Sequence, residues 1–181
     1  MSCDDRVDCS RRRLIVATAS VGGVAGVTAA VPFLASLAPS ERAKSAGAPV
    51  EVDISQLPPG QMMTVEWRGK PVWIIHRTKE MLDELPRIDD RLADPKSERQ
   101  LQPEYAKNEW RSIKPEYMVV IGICTHLGCI PIAHQGSYDG YFCPCHGSVY
   151  DTSGRIRKGP APKNLVVPEY AFLSDTKVKI G

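Results

Sequence analysis

The sequence predicts a mainly β, antiparallel domain behind a single N-terminal membrane-spanning helix. Three observations predict this. Residues 14–37 are 24 consecutive residues without a charge, directly after Arg11-Arg12-Arg13. From residue 51 onward, short apolar and β-branched runs recur between turn residues. Late in the chain, Cys124, His126, Cys129, Cys143, Cys145 and His146 crowd into two short segments, a composition that points to a metal or redox site.

The helix comes first in the chain. Twenty-four residues at about 1.5 Å each span roughly 36 Å, enough for a bilayer core of about 30 Å. The run is apolar on all sides, as a lipid-facing helix is, and Gly22, Gly23, Ala25 and Gly26 allow close packing against another helix. Pro32 sits near its far end. A cleaved secretory signal also begins with basic residues and an apolar run. This run is longer than a typical signal core, and Val31-Pro32-Phe33-Leu34 is a poor cleavage site; Ala35-Ser36-Leu37-Ala38 leaves cleavage open. A retained, single-pass anchor is expected. The arginines keep residues 1–13 in the cytoplasm and send the C-terminal domain outward, and Ser10-Arg11-Arg12-Arg13-Leu14 resembles a twin-arginine export signal. The net charge of +2 implies no nucleic-acid partner. Cys3 and Cys9 precede the span and are expected to be incidental free thiols.

Residues 38–50 are small and polar, broken by Pro39, Gly47 and Pro49. They read as a flexible tether, with a short helix over 41–46 as the stiffer alternative. Residues 51–181 form the soluble domain. Runs at 62–67 and 72–76 flank Arg68-Gly69-Lys70-Pro71 as a hairpin, and 117–123 suits a buried strand. Shorter strands are expected at 141–142, 149–150, 165–167, 171–173 and 178–180, with a helical turn over 79–85. Residues 86–115 are polar and charged and read as an insertion. Trp67 and Trp73 are expected in the core or on a sheet face. His76 and His134 lack metal-binding company and are expected at the surface.

Two motifs carry the chemistry: Cys124-Thr125-His126-Leu127-Gly128-Cys129 and Cys143-Pro144-Cys145-His146-Gly147-Ser148. A structural zinc ion takes four such ligands, two fewer than the six present. A [2Fe–2S] cluster held by two cysteines and two histidines also takes four. It leaves two cysteines, which an exported domain can pair as a disulfide.

These paired motifs resemble the Rieske iron–sulfur subunit of quinol–cytochrome c reductases of bacterial type (cytochrome bc complex, complex III). The anchor, the tether and Gly159-Pro160-Ala161-Pro162 are similar too, so the resemblance covers nearly the whole chain. It implies a Rieske-type antiparallel β domain with a small cluster-binding subdomain, and one Rieske-type [2Fe–2S] cluster. By resemblance, Cys124 and Cys143 bind the inner iron, His126 and His146 the outer one, and Cys129 pairs with Cys145. Residues 124–129 and 143–148 are the cluster-binding loops, and 159–162 the proline loop. Ser148 and Tyr150 match hydroxyls that bond a bridging sulfide and a ligand sulfur; such bonds favour the upper part of the Rieske range of about −150 to +300 mV. Leu127 is expected to shield the cluster and to belong to a docking surface.

The function implied is transfer of one electron, with a proton, from a membrane quinol of ubiquinol type to a c-type cytochrome. That transfer contributes to a proton-motive force. His146 is the implied quinol contact, with His126 beside it. The implied partners are cytochrome b, a membrane-anchored c-type cytochrome and the lipid bilayer, in a dimeric complex of the bacterial inner membrane with the Rieske domain periplasmic. Enzyme activity belongs to the complex; the chain alone is a carrier. Ring-hydroxylating oxygenase components and their ferredoxins are soluble and lack the extra cysteine pair. The small subunit of another periplasmic oxidoreductase, such as arsenite oxidase, is the remaining alternative.

Overall fold

The computed structural model describes residues 8–87, 92, 94, 97, 102–135 and 139–181. They divide into an N-terminal unit ending at Ser45 and a second unit, Ala46–Gly181.

The first unit is built on α1 (Cys9–Ser36), 28 residues with Pro32 inside and no buried residue. Asp8 caps it, its carboxylate accepting from the Ser10 and Arg11 amides at 3.1 and 3.2 Å, so the helix begins ahead of the apolar run and takes in the arginines. Within the span, Thr18, Ser20 and Thr28 return their hydroxyls to carbonyls one turn back, at 2.7–2.9 Å, which removes their donors from an apolar surface. Its length and composition suffice to cross a membrane. Cys9 is disulfide-bonded, which corrects the reading of it as a free thiol: sequence spacing carried no sign that it had a partner. Cys3 lies outside the described residues. In the linker the helical alternative is the one observed, as α2 (Glu41–Ala46). Ser40 Oγ accepts the Ala43 amide at 3.2 Å at its start, and Lys44 reaches Glu41 at 2.7 Å.

The second unit is antiparallel β throughout, in three sheets. In chain order the strands are β1 (Val50–Asp53), β2 (Met62–Trp67), β3 (Lys70–His76), β4 (Tyr117–Ile121), β5 (Ile132–Ala133), β6 (Tyr141–Cys143), β7 (Ser148–Tyr150), β8 (Ile156–Lys158), β9 (Tyr170–Phe172) and β10 (Lys177–Ile180). The sheets run β1-β10-β9, β2-β3-β4 and β5-β6-β7-β8. The turn between β2 and β3 is tighter than the four residues expected. Arg68 and Gly69 both take positive φ (53° and 68°), which matches the twist of a two-residue hairpin. β3 therefore starts at Lys70 and contains Pro71. A proline is tolerated there because only its carbonyl is used, accepting the Gly122 amide at 2.9 Å. Val72, Trp73, Ile74 and Ile75 follow, all buried. Each large apolar side chain so buried contributes roughly 1.5–3 kcal/mol, which makes β3 the spine of the middle sheet.

α3 (Lys79–Glu84) is capped by Thr78, as the helical turn expected there requires. Leu165 and Val167 are buried and Val166 half-buried, and none joins a ladder: Leu165 donates to Gly154 O at 2.8 Å and Val166 accepts from Ile121 N at 2.8 Å. His76 is half-buried, in contrast to the surface position expected. Its Nδ1 meets Leu57 O at 2.8 Å and its ring stacks on Tyr117 at 4.6 Å. His134 is exposed. Most of residues 88–101 lie outside the described set. Residues 102–115 are no surface insertion: Arg111 and Ser112 are buried within them.

A ring stack ties the middle sheet to the β5–β8 sheet. Trp73 of β3 stacks on Tyr141 of β6, 5.1 Å between centroids. Gly122, just past β4, makes room for that indole: a Cβ there would lie 2.3 Å from the ring. Two residues further on stands Cys124.

Candidate metal centre

Two loops of the same design meet at one end of the second unit. The first leaves β4 and contains residues 124–129; the second joins β6 to β7 and contains residues 144–147. In each, the amide four residues after the leading cysteine returns to that cysteine's carbonyl: Gly128 to Cys124 and Gly147 to Cys143, both at 3.0 Å. The closing residue has left-handed φ in both (85° and 79°), which is why a glycine stands at each position. The turns thus place Cys124 and Cys143 at the base, where both are buried and free. His126 and His146 stand beyond them, rings 4.7 Å apart and nearly perpendicular. His126 is half-buried and His146 exposed.

Cys129 and Cys145 are joined by a disulfide across the two loops, Cα atoms 6.7 Å apart. The sulfurs of Cys129, Cys143 and Cys145 lie within 4.8 Å of one another. Two of the three are covalently paired, so this trio is no thiolate set. The free sulfurs belong to Cys124 and Cys143.

Tyr150 Oη lies 3.2 Å from Cys124 Sγ. Burial raises the Cys124 thiol, but bonds from Tyr150, the His126 amide and Ser148 outweigh it and hold the group below its usual value. Burial pushes Cys143 the other way, and the neighbouring Cys124 adds to that. Burial also raises the Tyr150 phenol, with Cys124 adding to it, so it stays a donor. A thiol poised toward thiolate is what a metal ligand needs.

The loop at 159–162 packs on the end of the second loop. Gly159 has φ 103°, and a Cβ there would lie 2.6 Å from Ser148 Cα and 2.8 Å from Gly147 O; only glycine permits so close an approach. Ala161 is buried and donates its amide to Ser148 Oγ at 3.2 Å, while Pro160 and Pro162 face out. Thr125 completes the ring of contacts. Its hydroxyl donates to Lys163 O at 2.6 Å and its amide to Tyr150 Oη at 3.2 Å. Thr125 was invisible as a contributor in the sequence, because a threonine between ligands carries no chemical signature. Leu127 projects into solvent at 71% exposure.

The chemistry of this donor set fits a [2Fe–2S] group. Two buried thiols lie side by side, and His126 Nδ1 is buried with no hydrogen-bond partner. A buried imidazole nitrogen costs free energy unless something bonds it, and an iron ion would supply that bond.

Comparison with known proteins agrees. The family described as Rieske [2Fe-2S] domain matches residues 96–171, and that described as Ubiquitinol-cytochrome C reductase Fe-S subunit TAT signal matches residues 1–40. The ubiquinol-cytochrome c reductase iron-sulfur subunit of Allochromatium vinosum is 54% identical, over 94% of this chain and 87% of that protein. This chain belongs to the ubiquinol–cytochrome c reductase iron–sulfur subunit family. Its counterpart in Bradyrhizobium diazoefficiens is 52% identical over 93% and 92% of the two chains, and that of Blastochloris viridis 47% over 100% and 98%. A solved chain of a hyperthermophilic respiratory complex III is 30% identical, with TM-score 0.50, over 91% of this chain and 96% of that one. The Rieske subunit described here is thus a component of an oxidoreductase complex, and its cofactor is a Rieske [2Fe–2S] cluster. These relatives carry the quinol–cytochrome c reductase description, in place of that of an arsenite-oxidase-type small subunit.

Proposed function

We propose that this Rieske subunit takes one electron and one proton from a membrane quinol of ubiquinol type and passes the electron to a c-type cytochrome. Cys124 and Cys143 hold the inner iron, and His126 and His146 the outer one. When bound, the cluster supplies a one-electron couple. The chain's own residues do the rest. Cys124 and Cys143 bury the sulfur side against the sheet, so electrons are exchanged on the histidine side. His146, exposed between Cys145 and Gly147, offers an imidazole nitrogen to a quinol hydroxyl and receives its proton. Leu127, exposed beside His126, meets the partner. Tyr150 and Ser148 donate toward sulfur and stabilise the more negative, reduced state. The disulfide and the 159–162 loop hold the two cluster loops together through that change.

We place the Rieske domain in the periplasm, the anchor in the bacterial inner membrane and the N-terminus in the cytoplasm. Residues 38–50, helical over α2, serve as the tether between a cytochrome b site and a membrane-anchored cytochrome c site in a dimeric complex. The matched export signal and the apolar α1 support this placement.

The observation that carries the reading is the contrast between two buried cysteines and the exposed His146, with exposed Leu127 next to His126 in the other loop. Leu127→Arg tests it. The side chain packs on nothing the fold needs, so cluster content and potential stay as they are while quinol oxidation in membranes falls at least tenfold. Unchanged turnover at equal cluster content contradicts the reading.

A further inference from the structure

Behind the cluster loops lies a set of buried charges that the proposed electron transfer does not use. Arg77, Arg111, Arg155 and Asp151 are each at most 2% exposed. Burial lowers Arg77 and Arg111 to about 10, so both stay charged at neutral pH. Among the described residues Asp151 is the buried carboxylate in this set, and burying such charge is costly for a small domain. What the guanidinium groups bind explains why the set stands.

Arg111 forks. One arm donates to Ser153 O at 2.9 Å and Gly154 O at 3.2 Å; the other donates to Gln102 Oε1 at 2.9 Å and to Leu165 O. Arg77 donates to Ser153 Oγ at 2.8 Å and to Trp110 O at 2.8 Å. Asp151 caps the same turn from inside, accepting the Ser153 and Arg155 amides at 3.0 and 2.9 Å and Arg155 Nε at 2.7 Å. Gly154 has φ 69°, and a Cβ there would lie 3.2 Å from the Arg111 fork and from Leu165. The turn at 151–154 is therefore held from three directions.

That turn begins at the residue after Tyr150, and Leu165 stands three residues after the 159–162 loop. We infer that Arg111 is a positioning residue for the cluster: by clamping the turn at 151–154 to Leu165, it fixes the place of Tyr150 Oη against Cys124 Sγ. The inference rests on the cluster reading above. A guanidinium is suited to the task because its planar fork bonds two separate carbonyl groups at fixed angles; a lysine brings the same charge without that geometry.

Arg111→Lys tests geometry apart from charge. Redox titration of the full-length chain in membranes, followed by EPR, should show the loaded variant's reduction equilibrium shifted at least tenfold toward the oxidised form, about 59 mV for one electron. Added to Tyr150→Phe, it should lower the potential no further, because the bond it positions is already gone. A wild-type potential in loaded Arg111→Lys overturns the inference, as does a shift that adds in full to that of Tyr150→Phe. If Arg111→Lys holds no cluster, Gln102→Leu decides: a smaller downward shift supports the inference and a wild-type potential overturns it. Absence of any cluster signal from the unsubstituted chain would contradict the cluster reading itself, a different failure.

Discussion

Tyr150 Oη lies 3.2 Å from Cys124 Sγ and accepts the Thr125 amide at the same distance. The Thr125 hydroxyl is committed to Lys163 O. Thr125 Oγ1, 3.3 Å from the same phenol, is a second acceptor, so Cys124 Sγ and Thr125 Oγ1 share the reach of its one proton.

Removing that proton should lower the potential. Tyr150→Phe keeps the ring and loses one donor to a charged sulfur, worth roughly 1.5–3 kcal/mol. For one electron this is about 60–130 mV. Ser148→Ala should lower the potential in the same direction. It should also lower thermal stability, since the buried Ala161 amide loses its acceptor. Redox titration and thermal melts of both variants check this; unchanged potentials would make both hydroxyls packing groups.

Cys129→Ser and Cys145→Ser should each release the clip between the cluster loops. A disulfide commonly contributes about 2–4 kcal/mol, so both variants should melt lower and hold less iron per chain. Iron analysis with calorimetry measures both, and full occupancy at unchanged melting temperature would leave the clip without a role.

Glycines around the site should differ in tolerance. Gly128→Ala meets nothing within 4 Å and costs only its positive φ, about 1–2 kcal/mol. Gly159→Ala drives a Cβ into the Ser148 backbone and should displace the 159–162 loop, with loss of cluster on purification. Equal iron retention in the two would show that the loop does not cover the cluster.

Asp151 and Asp175 both pair with a cation, in opposite surroundings. Asp151→Ala leaves the buried Ser153 and Arg155 amides without their acceptor and takes one partner from Arg155 Nε, at a cost of about 1–3 kcal/mol for each buried donor left unsatisfied. Asp175, 97% exposed in its pair with Lys114, should be replaceable with little measurable change. Chemical denaturation of the two variants separates them.

The sequence made some of this legible and hid the rest, for physical reasons. Residues 62–67 are an apolar and β-branched run stopped by turn residues, and β2 has the predicted bounds. The cluster motifs identified themselves because few sites need cysteine and histidine in such number. The short strands β1, β5 and β8 were missed, since two to four residues carry no periodicity. Residues 165–167 look like a strand because they are apolar, yet Leu165 and Val167 are apolar for burial and pair in no ladder. Arg111 was the deepest miss: a cationic residue in a polar stretch reads as surface, and only the fold supplies the four acceptors that let it be buried.

The central claim is one [2Fe–2S] cluster on Cys124, Cys143, His126 and His146. Metal and sulfide analysis of the purified full-length chain, with EPR of its reduced form, tests it most directly. Two irons and two acid-labile sulfides per chain are expected, with the low average g value of mixed histidine and cysteine ligation. Stoichiometric zinc, or an EPR signature of ligation by four cysteines, would contradict it.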